Sequence, residues 1–529
     1  MAFLEKEHQE FQVFERLSRR LGGLVLEKEQ KEAITLLLQG KDVFAVLPTG
    51  FGKSLIYQSF VLIKQMEDKS TSNSGGDRPS CLVIVPLRSI VEEQINSNDF
   101  NLTVNGFEKT ADVLNEMKNN KFQVIYASAE QALSKDFLQL LRNESTALKR
   151  QLSLIVVDES HTVETWGKSV PLLAFTGTAT TKMRSSIRQQ LAMGTDAVTI
   201  NISPNRANIR FAAIKTAKDD QLSYLGWMVD LIREQNLSTP KTIIFCGTMH
   251  DVAKVFGFLL AELGNAAYVP GKPSIPENRL IGIFHSLTWP KYKVRVSKSF
   301  RENEGHVRVV VATSALSMGV NFPDVQYVIH MGPARTVVDH IQEAGRAGRN
   351  GTNAHNIIYF HGNQLSHCLQ SIKEFARCET CLRRALFQDF EEVPCTLPLH
   401  DCCSNCDNKC MCNGSACGRA SFPFDNPKGK ETVPRVAVHG FTSALVDDLV
   451  ALAPSVFSLS DLLKRFPLFN IGHVKLVLQT FHEIFEDIEG FDEMMATIEP
   501  EEINILLPED DEESVSSGSD TDPDRINEE

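Results

Sequence analysis

No apolar run in this 529-residue chain reaches the ~18 residues that a membrane-spanning helix needs. The first residues, Met1-Ala-Phe-Leu-Glu-Lys-Glu-His8, lack the layout of a secretory signal, so a soluble intracellular protein with no membrane partner is the expectation. Cysteine is nearly missing from most of the chain. Ten of the twelve lie between Cys368 and Cys417, and only Cys81 and Cys246 stand elsewhere. Without a secretory signal, so local a cluster reads as a metal site rather than as disulfides. Basic residues are almost absent from the end of the chain, where Phe481 to Glu529 carries 19 acidic residues and one basic one, Arg525. The net charge of -13 is therefore the balance of -18 in that stretch and +5 in the 480 residues before it. The mildly basic body permits nucleic-acid binding, although charge alone does not select it.

Hydrophobic residues at 42% and charged residues at 23% are ordinary globular values, and the length allows about three domains. Short, nearly all-apolar runs alternate with amphipathic stretches: 42–47, 81–86, 122–127, 152–158 and 172–176, then 242–246, 280–285, 307–312, 325–330 and 355–360. Runs of this kind suit strands buried on both faces of a parallel sheet. The expected fold class is α/β: two parallel-sheet lobes in tandem (1–202 and 203–363), then a helical cysteine-rich module (364–420), a small helical domain (432–505) and a disordered acidic tail (506–529). The break between lobes falls at Ser203-Pro-Asn-Arg-Ala-Asn208. Protein partners or phosphorylation at Ser514, Ser516, Ser517 or Ser519 are the roles expected of the tail.

Three segments carry chemistry. Leu47-Pro-Thr49-Gly50-Phe-Gly52-Lys53-Ser54 follows one apolar run and precedes a helical one. Its glycines let backbone N–H groups curl around a phosphate at a helix N-terminus; Lys53 would reach the β/γ-phosphates and Ser54 would bind Mg²⁺. The run 154–157 delivers Asp158 and Glu159 at its end, one suited to the Mg²⁺ shell and the other to activating water. His161 completes Asp-Glu-Ser-His, where a role linking hydrolysis to motion is expected. Gln342-Glu-Ala-Gly-Arg346-Ala-Gly-Arg349 places two arginines three apart on one helix face, where a moving lobe could bring positive charge to a γ-phosphate.

In this order the segments resemble the RecQ-type DNA helicases of superfamily 2, over about residues 20–410. Val83–Ser89, Thr176-Gly-Thr-Ala-Thr180, Ala312–Gly319 and Asn321–Val325 resemble further motifs of that family. The resemblance implies that the two lobes are RecA-like and that the cysteine-rich module binds zinc; it implies ATP as the nucleotide, with Gln30 reading adenine, and 3′→5′ translocation on single-stranded DNA with unwinding of the duplex. It also implies work in DNA repair or recombination, in the nucleus with the cytoplasm as an alternative. The family's zinc module has a cysteine before a helix and then a close-spaced trio, which Cys381 and Cys403-Ser-Asn-Cys406-Asp-Asn-Lys-Cys410 match; Cys378, Cys402, Cys412 and Cys417 remain alternatives. Three features depart from the family. Leu26 and Glu27 replace Phe-Arg before Gln30, no winged-helix domain is recognisable, and only 14 residues, 162–175, separate Asp-Glu-Ser-His from Thr176. Two other readings stay open. One is an RNA helicase or translocase, against which Asp-Glu-Ser-His and the cysteine module argue; the other is a DNA-binding ATPase or scaffold with impaired unwinding.

Overall fold

The computed structural model describes residues 12–48, 50–71, 78–85, 95, 102–106, 111–158, 170–218, 220–273, 275–286, 288, 290–316, 322–390, 399–410, 422 and 424. The expected helices within 432–505 and the acidic tail lie outside the described residues.

The first lobe is a seven-stranded sheet of β1 (Val43–Val46), β2 (Ser80–Ile84), β3 (Val104–Gly106), β4 (Val124–Ala127), β5 (Leu152–Val157), β6 (Leu172–Thr176) and β7 (Val198–Asn201), in the order β3-β4-β2-β5-β6-β1-β7. Every pairing is parallel. Its central strands are apolar throughout because both faces are covered. Val43 and Ala45 of β1 pack with Ala33, Ile34 and Leu37 of α1 (Lys28–Leu38) and with Ile56 and Phe60 of α2 (Lys53–Thr71). The intervening Phe44 and Val46 face the opposite core, with Phe137, Leu148 and Ile187, the last on α3 (Thr181–Gln190).

The second lobe repeats the scheme with six strands: β8 (Ile209–Lys215), β9 (Lys241–Cys246), β10 (Ile281–Phe284), β11 (Val309–Ala312), β12 (Val325–Met331) and β13 (Ala354–Phe360), ordered β10-β11-β9-β12-β13-β8 and again all parallel. Helix α4 (Val337–Ala344) follows β12. The described residues of the cysteine segment pack into the core of this lobe. Leu382, Leu386 and Phe387 of α5 (Leu382–Phe387), with Phe390, Cys402 and Cys403, share a core with Ile209 and Phe211 of β8. A buried ion pair, Arg210 Nη2 to Asp407 Oδ2 at 3.0 Å, ties the same strand to the segment.

Each of the ten expected strands is present. Three more, β3, β7 and β8, were not anticipated.

Candidate nucleotide site and cysteine module

In the first lobe β5, β6 and β1 are neighbours, and each ends in one of the singled-out loops. Parallel strands leave at the same edge, so Asp158, Thr176–Thr180 and Gly50–Ser54 meet at the carboxyl end of the sheet, where open α/β sheets take ligands. The loop after β1 turns through Gly50 at φ +89° and Gly52 at φ +77°, a left-handed region that glycine alone adopts without strain. A Cβ on Gly52 would stand 2.8 Å from Gln30 Nε2 and 2.9 Å from Leu55 Cδ1, so the loop is also closely packed. Lys53 then opens α2, and its Nζ lies 3.8 Å from Asp158 Oδ1. The pair juxtaposes a phosphate-binding ammonium and a metal-binding carboxylate, both partly open to solvent. Ser54 follows in the first turn; its hydroxyl and the Asp158 carboxylate are the hard oxygen donors that Mg²⁺ takes, and the set fits that ion. Thr49, Glu159 and His161 lie outside the described residues.

The second lobe reaches this edge through the last turn of α4 and the segment after it. Gln342 Nε2 donates to Thr178 Oγ1 at 3.1 Å, and a Cβ on Gly50 would lie 3.9 Å from Arg349 Cδ. Arg349 therefore stands over the phosphate loop. Arg346 turns inward and is 3% exposed, its charge acting on Glu343. Glu343 is itself buried, with Oε2 3.3 Å from His330 Nδ1; the His330 ring lies 4.3 Å from that of His340, whose Nε2 bonds Asn356 Oδ1 at 2.9 Å. Burial, with Asp339 adding and Arg346 opposing, pushes Glu343 up to about 8, and burial lowers His330 to about 3. The pair thus holds a single proton across neutral pH.

Two arginines that the sequence did not single out fix this segment in place. Arg206, in the linker between lobes, donates to Gly345 O at 2.9 Å, to Ala347 O and to Gly348 O at 3.4 Å. Asn208 Nδ2 bonds Gly348 O at 2.8 Å and Thr352 O at 2.7 Å. The linker is gripped in turn by Arg383 of α5, which donates to Asn205 Oδ1, to Arg206 O at 3.0 Å and to Ile209 O, with its guanidinium 4.9 Å from the centre of the Phe211 ring. A continuous line of hydrogen bonds runs from the cysteine module to the turn carrying Arg346 and Arg349. The only sequence sign was the Arg383-Arg384 pair two residues after Cys381, together with Asn-Arg-Ala-Asn in the linker.

The module brings together Cys381, Cys402, Cys403 and Cys406, with every Sγ within 4.8 Å of the others and Cys381 3.6 Å from Cys402. Four sulfurs around a tetrahedral metal at the Zn–S distance stand about 3.8 Å apart, so the set fits such a centre. Among the described residues this grouping takes in Cys402, one of the alternatives left open by the sequence, and leaves Cys410 outside it. Cys403 caps a short helix, Ser404–Asp407, which turns Cys406 back beside it. Cys410 lies past the end of that helix, 3.7 Å from His400 Nδ1. The thiols share one charge between them: contacts with Cys381 and Cys402 draw the Cys403 thiol below its ordinary range, while the same contacts and burial push Cys402 and Cys406 up.

Comparison with known proteins fits this geometry. Residues 27–193 match the DEAD/DEAH box helicase family, and residues 223–351 match the helicase conserved C-terminal domain. The ATP-dependent helicase SGS1 of Saccharomyces cerevisiae is 26% identical over 425 residues, 72% of this chain and 27% of the relative. The ATP-dependent DNA helicase RecQ of Haemophilus influenzae is 26% identical over 424 residues, 72% of this chain and 60% of its own length.

The chain carries the two domains of a superfamily 2 helicase and is similar to the RecQ-type members.

It spans about a quarter of SGS1 and about half of ATP-dependent DNA helicase Q-like 2 of Arabidopsis thaliana, to which it is 26% identical over 72% of its residues. Solved structures share the fold of this chain. The DEAD-box helicase Mss116 bound to single-stranded RNA and UDP-BeF superposes with a TM-score of 0.53 over 87% of both chains at 14% identity, and the helicase MrfA bound to DNA with 0.51 over 66% of this chain and 51% of that one at 18% identity. Among the described residues no helix is long and apolar enough to cross a membrane.

Proposed function

We propose that this chain is a RecQ-type ATP-dependent DNA helicase that moves 3′→5′ on single-stranded DNA and opens the duplex ahead, in DNA repair or recombination within the nucleus. The observation that supports hydrolysis most directly is the placement of Arg349 of the second lobe over Gly50 of the first. A guanidinium supplied by the second lobe makes hydrolysis depend on how the lobes meet, which is what converts a nucleotide cycle into movement. Lys53 would hold the β/γ-phosphates, Ser54 and Asp158 would hold Mg²⁺, and Glu159 would orient the attacking water. When bound, the metal supplies charge neutralisation on the phosphates. Gln342, bonded to Thr178, keeps the two motif loops in register. Zinc is the ion the four thiols would hold, and its role would be to secure α5 and with it Arg383.

A second reading is favoured by the short link between β5 and β6. These strands are parallel neighbours, with Ile155 opposite Leu172, and the 14 residues from Asp158 to Pro171 must return along the sheet. A complete crossover with its helix needs at least ~10–12 residues, so a helix here has room for about two turns and no separate DNA-sensing loop fits beside it. On this reading ATP binding and basal hydrolysis persist while DNA stimulates them weakly and unwinding is poor. Hydrolysis measured with and without single-stranded DNA, alongside strand separation of a 3′-tailed duplex, decides between the two. Strong stimulation with robust unwinding supports the first reading and removes the second; turnover that single-stranded RNA stimulates and DNA does not would overturn both.

A further inference from the structure

We infer that the outer side of the second lobe, along the helix Pro290–Arg301 and down to the amino end of β10 and β11, is a second nucleic-acid surface, which takes the phosphate backbone of duplex DNA. The inference deepens the helicase reading and rests on it for the choice of DNA as the polyanion.

Residues 272–308 hold eight basic and three acidic residues, a net +5 that equals the sum for the whole chain ahead of Phe481. The helix in this span, Pro-Lys-Tyr-Lys-Val-Arg-Val-Ser-Lys-Ser-Phe-Arg, has five basic residues and no acidic one. Its Val296 and Phe300 turn inward to Ile243, Phe245 and Val310 of the sheet. The helical period then puts Lys291, Val294, Arg295, Lys298 and Arg301 on the opposite side, where all but the half-buried Arg295 are exposed. Solvated helix faces ordinarily mix both signs in i,i+4 pairs. Here two carboxylates from outside the helix reach the stripe, Glu277 Oε1 at 2.7 Å from Arg295 Nη1 and Glu302 Oε1 at 4.0 Å from Lys298 Nζ. Such surface pairs are weak and give way to a polyanion. The helix starts beyond the carboxyl end of β10, where Lys293 Nζ bonds Ser286 O at 2.6 Å. It ends at the amino end of the sheet, where Lys241 Nζ of β9 bonds Glu302 O at 3.2 Å. There Lys272 and Arg308 extend the positive field. Burial first, and then the charges of Lys272, Arg295 and Arg308, keep the His306 imidazole below its ordinary range against an opposing backbone hydrogen bond at Glu277.

This surface is separate from the nucleotide site and from the motif loops. β10 is the edge strand, with β11 and β9 between it and β12, so three strand spacings, about 14 Å, separate it from the strand that leads to Arg349. The motif segments of this lobe, Ala312–Gly319, Asn321–Val325 and Gln342–Arg349, contribute none of these cations. The chemistry favours a duplex over a single strand. Surfaces that grip single strands stack bases on aromatic rings. The apolar member of this stripe is the aliphatic Val294, 67% exposed, and the Tyr292 ring is covered by the Arg295 guanidinium at 4.8 Å. From Lys291 to Arg301 the helix rises about 15 Å in a straight line. A duplex is a stiff rod with one charge per ~1.7 Å of axis, so a straight row of cations meets it without bending either partner. Held here by charge and not by sequence, the duplex stays beside the motor while one strand is drawn through the motif loops.

The test uses the full chain and fluorescence anisotropy over a range of salt, with two labelled probes: a 3′-tailed duplex of about 20 base pairs and the tail strand alone. The variant Lys291→Gln/Lys298→Gln/Arg301→Gln removes three exposed charges. Its Tm is measured first, and single Lys298→Gln replaces it if the triple change does not fold. The inference expects the triple variant to lose about tenfold or more on the tailed duplex at low salt, with the plot of log K against log salt flattened by about 0.9 for each charge removed. Binding of the tail strand should stay within about twofold of wild type. An equal loss on both probes would place the stripe in the single-strand path and overturn the inference, as would unchanged affinity and slope on the duplex. Wild type that binds neither probe would overturn the helicase reading itself, and the inference with it.

Discussion

Replacing Arg383 by methionine would test whether the cysteine module governs the hydrolytic site through the linker. Arg383 is among the largest fully buried side chains of the molecule. Its guanidinium serves three acceptors: Asn205 Oδ1, Arg206 O and Ile209 O. Methionine keeps the hydrophobic stem against Phe211 but has no donor, so each acceptor left dry costs about 1–3 kcal/mol. Relief from burying a charge offsets part of this, giving a net loss of about 2–4 kcal/mol. For a unit of roughly 200 residues that lowers Tm by about 5–15 °C. The catalytic effect follows from the next link in the line. With Arg206 no longer anchored, the Gly345, Ala347 and Gly348 carbonyls lose their fixed partner, and the turn bearing Arg349 loosens. We expect kcat for ATP to fall about tenfold at a temperature where the variant is fully folded, with KM for ATP nearly unchanged, because the phosphate loop is untouched. Arg383→Lys should restore little, since one ammonium cannot span three diverging acceptors. A folded Arg383→Met protein with wild-type kcat would refute the coupling and leave Arg383 a purely structural residue; an unchanged Tm would refute the energetics as well.

Elemental analysis should find one zinc per chain, lost in Cys402→Ser and kept in Cys410→Ser; the opposite pattern would restore the ligand set read from spacing. Glu343 offers a test by pH. Its folded-state pKa is raised to about 8, so its stabilising contribution is full below the ordinary carboxylate range and is lost as pH rises through about 8. Between pH 7.5 and 8.5, above most of the titration of unfolded histidine, this group should lower wild-type stability by about 0.7 kcal/mol, with the slope fading as Glu343 ionises in the folded protein. Glu343→Gln should flatten that slope, as followed by denaturant unfolding; parallel wild-type and variant curves would count against a buried neutral carboxyl. Mild removal of zinc by chelation should lower Tm through α5 and Arg383 while leaving the nucleotide Kd close to its starting value, which calorimetry and displacement together would check.

The strands that were legible were those whose chemistry is uniform along the run. Val-Phe-Ala-Val of β1 is buried at every position and announces itself without periodicity. β7 could not be read in this way, because Val-Thr-Ile-Asn at the sheet edge buries only Ile200. β3 has three half-buried residues. β8 hides a charge in its second position, and nothing near Arg210 in sequence foretells Asp407, 197 residues away. The phosphate loop was readable because its geometry is local, with two glycines and a lysine acting within eight residues. The packing of Gln30 was not legible for the converse reason: its partners at Phe51 and Gly52 are 21 and 22 residues distant, and only folding brings its amide to them. Cys403 and Cys406 follow from a two-residue spacing. The place of Cys402 depends on how the helix Leu399–Cys402 approaches α5, which no spacing rule contains.

The central claim is that the hydrolytic site is completed by the second lobe, and steady-state ATP hydrolysis by Arg349→Ala tests it most directly. The side chain lies over Gly50 without belonging to the phosphate loop, so the variant should bind nucleotide with near wild-type Kd. It should hydrolyse it at least about a hundredfold more slowly, as loss of a transition-state cation requires. Turnover within a factor of about two of wild type, at unchanged nucleotide affinity, would contradict a site shared between the lobes.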